Sequence, residues 1–332
     1  MPELDENPRA AHQPDSEPPG SGFHDLARYV ALPRTSGLAL SPDGRRLVTS
    51  VASPSADGKK YVTALWEIDP AGIRAPRRLT RSAPGESQPA FLPGGDLLFI
   101  SKRPDGNAPT GDPAEEDVPS LWLLPETGEP RQLAARPGGV GQVVVAQDTG
   151  DIVVTAAVLP GAKDAEDDRR LRAARREAGV TAILHDSFPV RYWDHDLGPD
   201  QLRVFAGGTV RGDDNRLDDA RDLTPDPRGR IKDGLAVSPD GRRVAVVAEI
   251  RDDLPTAQRD GIILLDARTG QPGRTVQQAD HSFTEPAFSP DGAFLICVRE
   301  YLGAWDDAPR CTLHLVDLGS GDERDPLVDS PL

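Results

Sequence analysis

Short apolar runs alternate with polar turn residues along this chain, and the pattern recurs. Its clearest marker is Ser-Pro-Asp-Gly, at Ser41–Gly44, Ser238–Gly241 and Ser289–Gly292, with degenerate copies at Leu92-Pro93-Gly94-Gly95 and Ala146-Gln147-Asp148-Thr149-Gly150. The copies lie about fifty residues apart, apart from one gap about forty longer, which is the mark of a repeat architecture. Before each copy stands a short run: Leu38-Ala39-Leu40, Pro89-Ala90-Phe91, Val143-Val144-Val145, Leu235-Ala236-Val237 and Pro286-Ala287-Phe288. Side chains alternate faces along a strand, so an alanine at the centre of most runs keeps one face small at the same place in each unit. In the turn, Ser can bond the backbone, Pro fixes φ, Asp tolerates the third position and Gly accepts a positive φ. Each copy therefore predicts a tight hairpin connection.

After the turn comes the most apolar strand of each unit: Leu47 to Val51, Leu97 to Ile100, Ile152 to Val158, Val244 to Val247 and Phe294 to Val298. A third strand alternates and ends in an acidic turn, as in Leu65-Trp66-Glu67-Ile68-Asp69 and Leu313-His314-Leu315-Val316-Asp317. A fourth, more polar strand carries Arg78-Leu79-Thr80, Arg131-Gln132-Leu133 and Asp222-Leu223-Thr224, which suits an outer edge facing water. Units of this kind, repeated radially, predict an all-β chain: a β-propeller of four-stranded antiparallel blades. The recognisable blades run over about 37–80, 88–134, 141–224, 234–277 and 285–328, and the third carries a helical insert at 160–200. Residues 1–22, rich in Pro, Asp and Glu, read as a disordered leader, and 23–332 as the propeller. A closed ring of five fits the repeats. The want of a further inner strand before Leu332 favours a ring that this chain leaves incomplete, with Arg28-Tyr29-Val30-Ala31-Leu32 as a candidate closing strand.

Composition narrows the function classes. A net charge of −16 offers no general positive field for nucleic acid. No apolar run is long enough to span a bilayer, and the N-terminus lacks the basic start and apolar core of a secretion signal, so a cytoplasmic protein away from membranes is expected. Cys297 and Cys311 do not make a disulfide framework and read as buried free thiols.

The chain has no G-x-S-x-G elbow; Gly20-Ser21-Gly22 lies in the leader and Gly319-Ser320-Gly321 in a hairpin turn, so no catalytic residue is assigned. Gly138-Gly139-Val140-Gly141 opens a strand without a following helix, which argues against a phosphate cradle. Neither a cofactor nor a metal is expected. The insert does hold His185, Asp194, His195 and Asp196, but neighbours on a strand point to opposite faces and cannot easily converge on one ion. The insert begins with helix formers at Asp164 to Ala178, closed by Gly179. It continues into Pro189-Val190-Arg191-Tyr192-Trp193-Asp194-His195, where bonding of Arg191 to Asp194 and packing of Trp193 are the plain structural readings. Long loops are also where function concentrates.

The repeat unit, with P-A-F-S-P-D-G, L-W-x-x-D, T-G and R-x-L-T elements, resembles the N-terminal propeller of prolyl-oligopeptidase-family serine peptidases, especially acylaminoacyl-peptidase-like members. The motif is shared with TolB-like proteins; the Pro189–His195 segment is similar to one that bacterial peptidases of this family carry in one blade. The resemblance implies a non-catalytic propeller that gates and orients peptide substrates for an α/β-hydrolase domain, its partner in cis, which this chain lacks. It makes Arg191, Tyr192, Trp193 and His195 the candidate substrate-binding residues. The alternative is a stand-alone TolB-like propeller acting as a protein-interaction scaffold.

Overall fold

The computed structural model describes residues 25–104, 118–185, 189–193, 195–210, 217, 219–225, 229–250 and 259–327. A short helix α1 (Leu26–Ala31), capped by the Asp25 carboxylate, precedes the first sheet. Five four-stranded antiparallel sheets then follow in chain order, each a meander. The first holds β1 (Arg34–Leu40), β2 (Leu47–Pro54), β3 (Tyr61–Ile68) and β4 (Arg77–Arg78); the second holds β5 (Glu86–Phe91), β6 (Leu97–Ser101), β7 (Ser120–Leu124) and β8 (Arg131–Ala134). The third opens with β9 (Val140–Val145) and β10 (Asp151–Val158), then α2 (Ala165–Glu177) and a small hairpin, β11 (Arg191–Tyr192) with β12 (His195–Asp196). It closes with β13 (Gln201–Thr209) and β14 (Arg221–Asp222). The fourth is β15 (Ile231–Val237), β16 (Arg243–Ile250), β17 (Arg259–Asp266) and β18 (Pro272–Val276); the fifth is β19 (His281–Phe288), β20 (Phe294–Tyr301), β21 (Arg310–Asp317) and β22 (Glu323–Arg324).

The first strands β1, β5, β9, β15 and β19 approach one another in succession, so they line the axis of a propeller and the later strands lie outside. The Ser-Pro-Asp-Gly turns are clasped from within. The Ser41 hydroxyl donates to Asp43 at 2.6 Å and accepts from the Arg46 amide at 2.9 Å. The same pair of bonds recurs at Ser238 with Asp240 and Arg243, and at Ser289 with Asp291 and Phe294. Gly44, Gly241 and Gly292 close these turns at φ of 71, 70 and 68°. The degenerate copies keep the positive φ, at Gly95 and Gly150, and lose the Ser–Asp clasp.

The fourth strands lie at the outer edge of each sheet, as their polar character suggested, but the residues that end them turn inward. In blades one and three the threonine of the R-x-L-T pattern ends the ladder with its side chain: Leu65 N donates to Thr80 Oγ1 and Val204 N to Thr224 Oγ1, both at 2.9 Å. The leucine turns inward, and Leu133 and Leu223 are buried. The expectation of a closing strand at Arg28–Leu32 fails: this stretch forms most of α1, whose first turn the Asp25 carboxylate caps by accepting from the Ala27 and Arg28 amides.

The order of burial follows the repeat. Alanine positions (Ala39, Ala90, Ala236) pack toward the next blade, while their larger neighbours pack toward the previous one, as Phe91 does toward Val48 and Leu65. Among the described residues no sheet precedes blade one. Leu38 and Leu40 are 69% and 55% exposed, whereas the equivalent Phe91 is 3% exposed and Val143, Val145 and Leu235 are buried. At the other end, Ala287 is exposed, and Ile296, Val298, Leu313 and Leu315 are only half-buried on the far face of blade five. Each end blade thus turns one apolar face outward. No helix among the described residues is long and apolar enough to cross a membrane.

Candidate functional site

A meander places the β1–β2 type turns on one side of the propeller and the β2–β3 type connections on the other. The turn side carries clefts of about 550 Å³ between blades two and three, lined by Leu92, Pro93, Asp148 and Val210, and of about 930 Å³ between blades three and four, lined by Asp151, Arg221 and Arg268. All the candidate residues lie on the opposite side, in the long connection of blade three.

That connection is fastened to its own blade by a buried ion pair. The helix α2 starts at Asp164, whose carboxylate accepts from Asp167 N, and acids in its first turn with arginines in its last favour the helix dipole. Gly179 follows its C-terminus at φ +63°, as the glycine in the sequence suggested. Asp168 is buried; its carboxylate accepts from Leu159 N at 2.9 Å and from Arg172 Nε at 3.1 Å. Arg172 reaches on to Asp200 at 2.5 Å and to the Ala157 carbonyl at 3.3 Å. Both ends of the insert are therefore tied to one guanidinium. Burial works against charge on Arg172, but the carboxylates of Asp200 and Asp168 outweigh it and raise its pKa.

Beyond the helix the chain crosses toward blade four. The Pro189 carbonyl accepts from Arg230 Nη2 at 3.2 Å, just ahead of β15. In the hairpin, Leu197 N donates to Val190 O at 3.0 Å, and Arg191 pairs with Asp196 at 3.2 Å, with both side chains exposed. Arg191 thus has a cross-strand partner in Asp196; the expected pairing of Arg191 with Asp194 falls on a residue outside the described ones. Tyr192 lies over Lys232 of β15, the ammonium 5.7 Å from the ring centre, and Lys232 pairs with Asp260 of β17 at 2.8 Å. Burial opposes charge on Lys232, yet the Asp260 carboxylate, helped by Tyr192, raises its pKa. Trp193 sits at the hairpin turn with φ +46° and is 99% exposed, so it is no packing anchor. The backbone of His195 pairs with Tyr192 in β12.

Arg191, Tyr192 and Trp193 are thus neighbours on one arm but face different surroundings. Sequence reasoning missed Arg230, Lys232 and Asp260, which hold that arm. They lie about forty to seventy residues away and on another blade, and no local spacing announces them. On the same side, Trp305 in the β20–β21 connection is 97% exposed, and Arg310 of β21 stacks on Tyr301 while pairing with Asp307.

Elsewhere, Cys297, His314 and Glu323 form a thiol–imidazole–carboxylate grouping. His314 Nε2 lies 2.9 Å from Glu323, but the Cys297 thiol donates to the backbone carbonyl of His314. Cys297 and His314 are sealed between blades four and five, and burial pushes the thiol up to about 12, so no thiolate nucleophile is on offer. Cys311 is exposed, contrary to the expectation of two buried thiols. The described residues contain no cluster of three or more metal-binding side chains.

No protein-family model matches the chain. Dipeptidyl-peptidase 5 of Porphyromonas endodontalis is 25% identical over 295 residues, which make up 86% of this chain and 40% of that protein. The acylaminoacyl peptidase of Pyrococcus horikoshii superposes with a TM-score of 0.58 at 11% identity, over 91% of this chain and 40% of its own. A TolB-type protein of Agrobacterium tumefaciens gives 0.50 at 16% identity, over 88% of this chain and 80% of its own. At these identities the superpositions speak for the propeller fold. The chain is similar to the propeller portion of acylaminoacyl-peptidase-like and prolyl-oligopeptidase-family enzymes, and spans well under half the length of those peptidases.

Proposed function

We propose that this chain is the non-catalytic propeller portion of a serine oligopeptidase, which gates and orients peptide substrates for an α/β-hydrolase domain outside the chain. The observation that carries the reading is the pair of open blade faces. Leu38 and Leu40 at one end, and Ile296, Val298, Leu313 and Leu315 at the other, occupy repeat positions that face a neighbouring sheet elsewhere in the propeller. Further polypeptide covering them fits a chain that spans 40% of a peptidase relative. The lack of a serine elbow, and a Cys297 thiol that burial holds protonated, agree with chemistry done by a partner domain. In this reading Arg191, Tyr192, Trp193 and His195 contact or steer the peptide.

The test joins the chain to the hydrolase domain of a relative such as dipeptidyl-peptidase 5. The chain alone leaves acyl-peptide nitroanilides intact. The fusion cleaves short peptides and spares unfolded protein chains, which the hydrolase domain alone attacks. Equal cleavage of long and short substrates by the fusion would retire the gating role.

The second reading, a stand-alone scaffold, draws on the TolB-type structure, of which the chain covers 80%. It requires the chain by itself to capture a folded protein partner and to be indifferent to short peptides.

A further inference from the structure

We propose that Lys232 is a positioning residue: with Asp260 it fixes the insert hairpin of blade three against the inner strand of blade four, so that Trp193 is presented to a peptide. The part given to Trp193 rests on the peptide-handling reading above; the positioning itself does not.

The hairpin cannot hold itself. Its strands, Arg191–Tyr192 and His195–Asp196, are two residues each, and an isolated two-stranded hairpin is marginal in water even when longer. The Arg191–Asp196 pair adds little, because both side chains are in solvent. What fixes the arm must come from outside it. The stem is secured on blade three through Asp168, Arg172 and Asp200. The outer half is secured on blade four, by Arg230 at the Pro189 carbonyl and by Lys232 beneath Tyr192. β15 is an axis-lining strand, and Ile231 and Lys232 lie at its insert-side end, so the hairpin is held at that end of the inner strands.

Lys232 is suited to this role. Its ammonium is largely withdrawn from water, which is unfavourable unless a partner restores the lost solvation. Asp260, at 2.8 Å, is that partner, and the Tyr192 ring lies against the ammonium from the hairpin side. A pair of this kind contributes more to geometry than to net stability. Trp193, by contrast, is bulky, has a positive φ and stands in solvent. A bulky side chain in that region persists where its surroundings fix it. An indole is large and rigid and loses little entropy on contact, which suits it to stack on an apolar or aromatic peptide side chain.

The full chain is compared with Lys232→Met, Lys232→Arg, Tyr192→Ser and Trp193→Ser by hydrogen exchange and by tryptophan quenching on titration with acetyl-Gly-Gly-Phe-amide. Tyr192→Ser cuts the contact from the hairpin side, which leaves blade four intact if Lys232→Met should unfold it. Exchange at the Leu197 amide rises about tenfold in Lys232→Met and Tyr192→Ser, stays unchanged in Lys232→Arg, and the amides of β16 stay protected throughout. Peptide affinity falls in parallel with the freed hairpin, and Trp193→Ser removes the signal. Unchanged exchange at Leu197 in both Lys232→Met and Tyr192→Ser overturns the positioning role. Faster exchange with no peptide response from the unaltered chain leaves that role standing and overturns the part given to Trp193, together with the substrate reading it rests on.

Discussion

At the scale of single residues, the turns work through a serine and an aspartate two positions apart. Ser238 is buried and makes two hydrogen bonds, donating to Asp240 and accepting from Arg243 N. Ser238→Ala is expected to cost about 1–2 kcal/mol in urea denaturation, because the Arg243 amide loses its acceptor. The Ser–Asp bonds also hold the carboxyls of Asp43 and Asp291 below their ordinary value of 3.8; in Asp240 burial, the largest single influence, pushes upward, and the bonds from Ser238 and the Arg242 amide with the charges of Arg242 and Arg243 together outweigh it. Their folded pKa values are depressed, so their contribution to stability is complete above 3.8 and is lost as the pH falls through the lower folded values. The urea midpoint should therefore drop on acidification below 3.8, and Ser238→Ala should drop less steeply. A midpoint that holds steady through that range would show that the clasps carry no stability. The two thiols should separate just as plainly: Cys311 reacts with a disulfide reagent in the native protein, and Cys297, raised to about 12 by burial, reacts only after unfolding.

At the scale of elements, the helical insert shows how much of the site was legible. Charge pattern, N-terminal Asp164 and terminal Gly179 announced α2 within a residue or two, because those signals are local. The fastening of α2 was not legible. It depends on Asp168 meeting Leu159 N and Arg172 meeting Asp200, contacts that form only once β10 and β13 are paired. Asp168→Ala leaves Leu159 N and the Arg172 guanidinium short of a partner, and a loss of about 2–4 kcal/mol is expected. The check is guanidinium denaturation together with limited proteolysis, which should cut the insert first. For the same reason the Arg191–Asp196 pair was not legible: hairpin register, not sequence distance, brings Asp196 opposite Arg191. Trp193 shows the limit most clearly, since its apolar surface suggested packing and its place at a turn put it in water.

At the scale of the whole molecule, the same repeat position has two fates. Leu235 of blade four is buried against blade three, while Leu38 of blade one, its equivalent, faces solvent. Leu235→Ala should cost about 2–4 kcal/mol, whereas Leu38→Ala in this chain should change stability by no more than about 0.5 kcal/mol. Once a further sheet is joined to blade one, Leu38→Ala should become as costly as Leu235→Ala; a cost that stays small would mean the open face is a true surface. Thermal or urea denaturation of the chain with and without the added sheet reads the difference.

The sequence by itself determined the strands, the turns and the radial repetition, because alternation, alanine placement and Ser-Pro-Asp-Gly chemistry act over a few neighbouring residues. It also fixed the helix in the insert and ruled out a serine elbow. Tertiary structure alone decided which faces are covered, where Leu133 and Leu223 turn, and how Lys232, Asp260 and Arg230 hold an arm from another blade. Burial and ion pairing are properties of surfaces that meet, and these surfaces come from parts of the chain that no local pattern links.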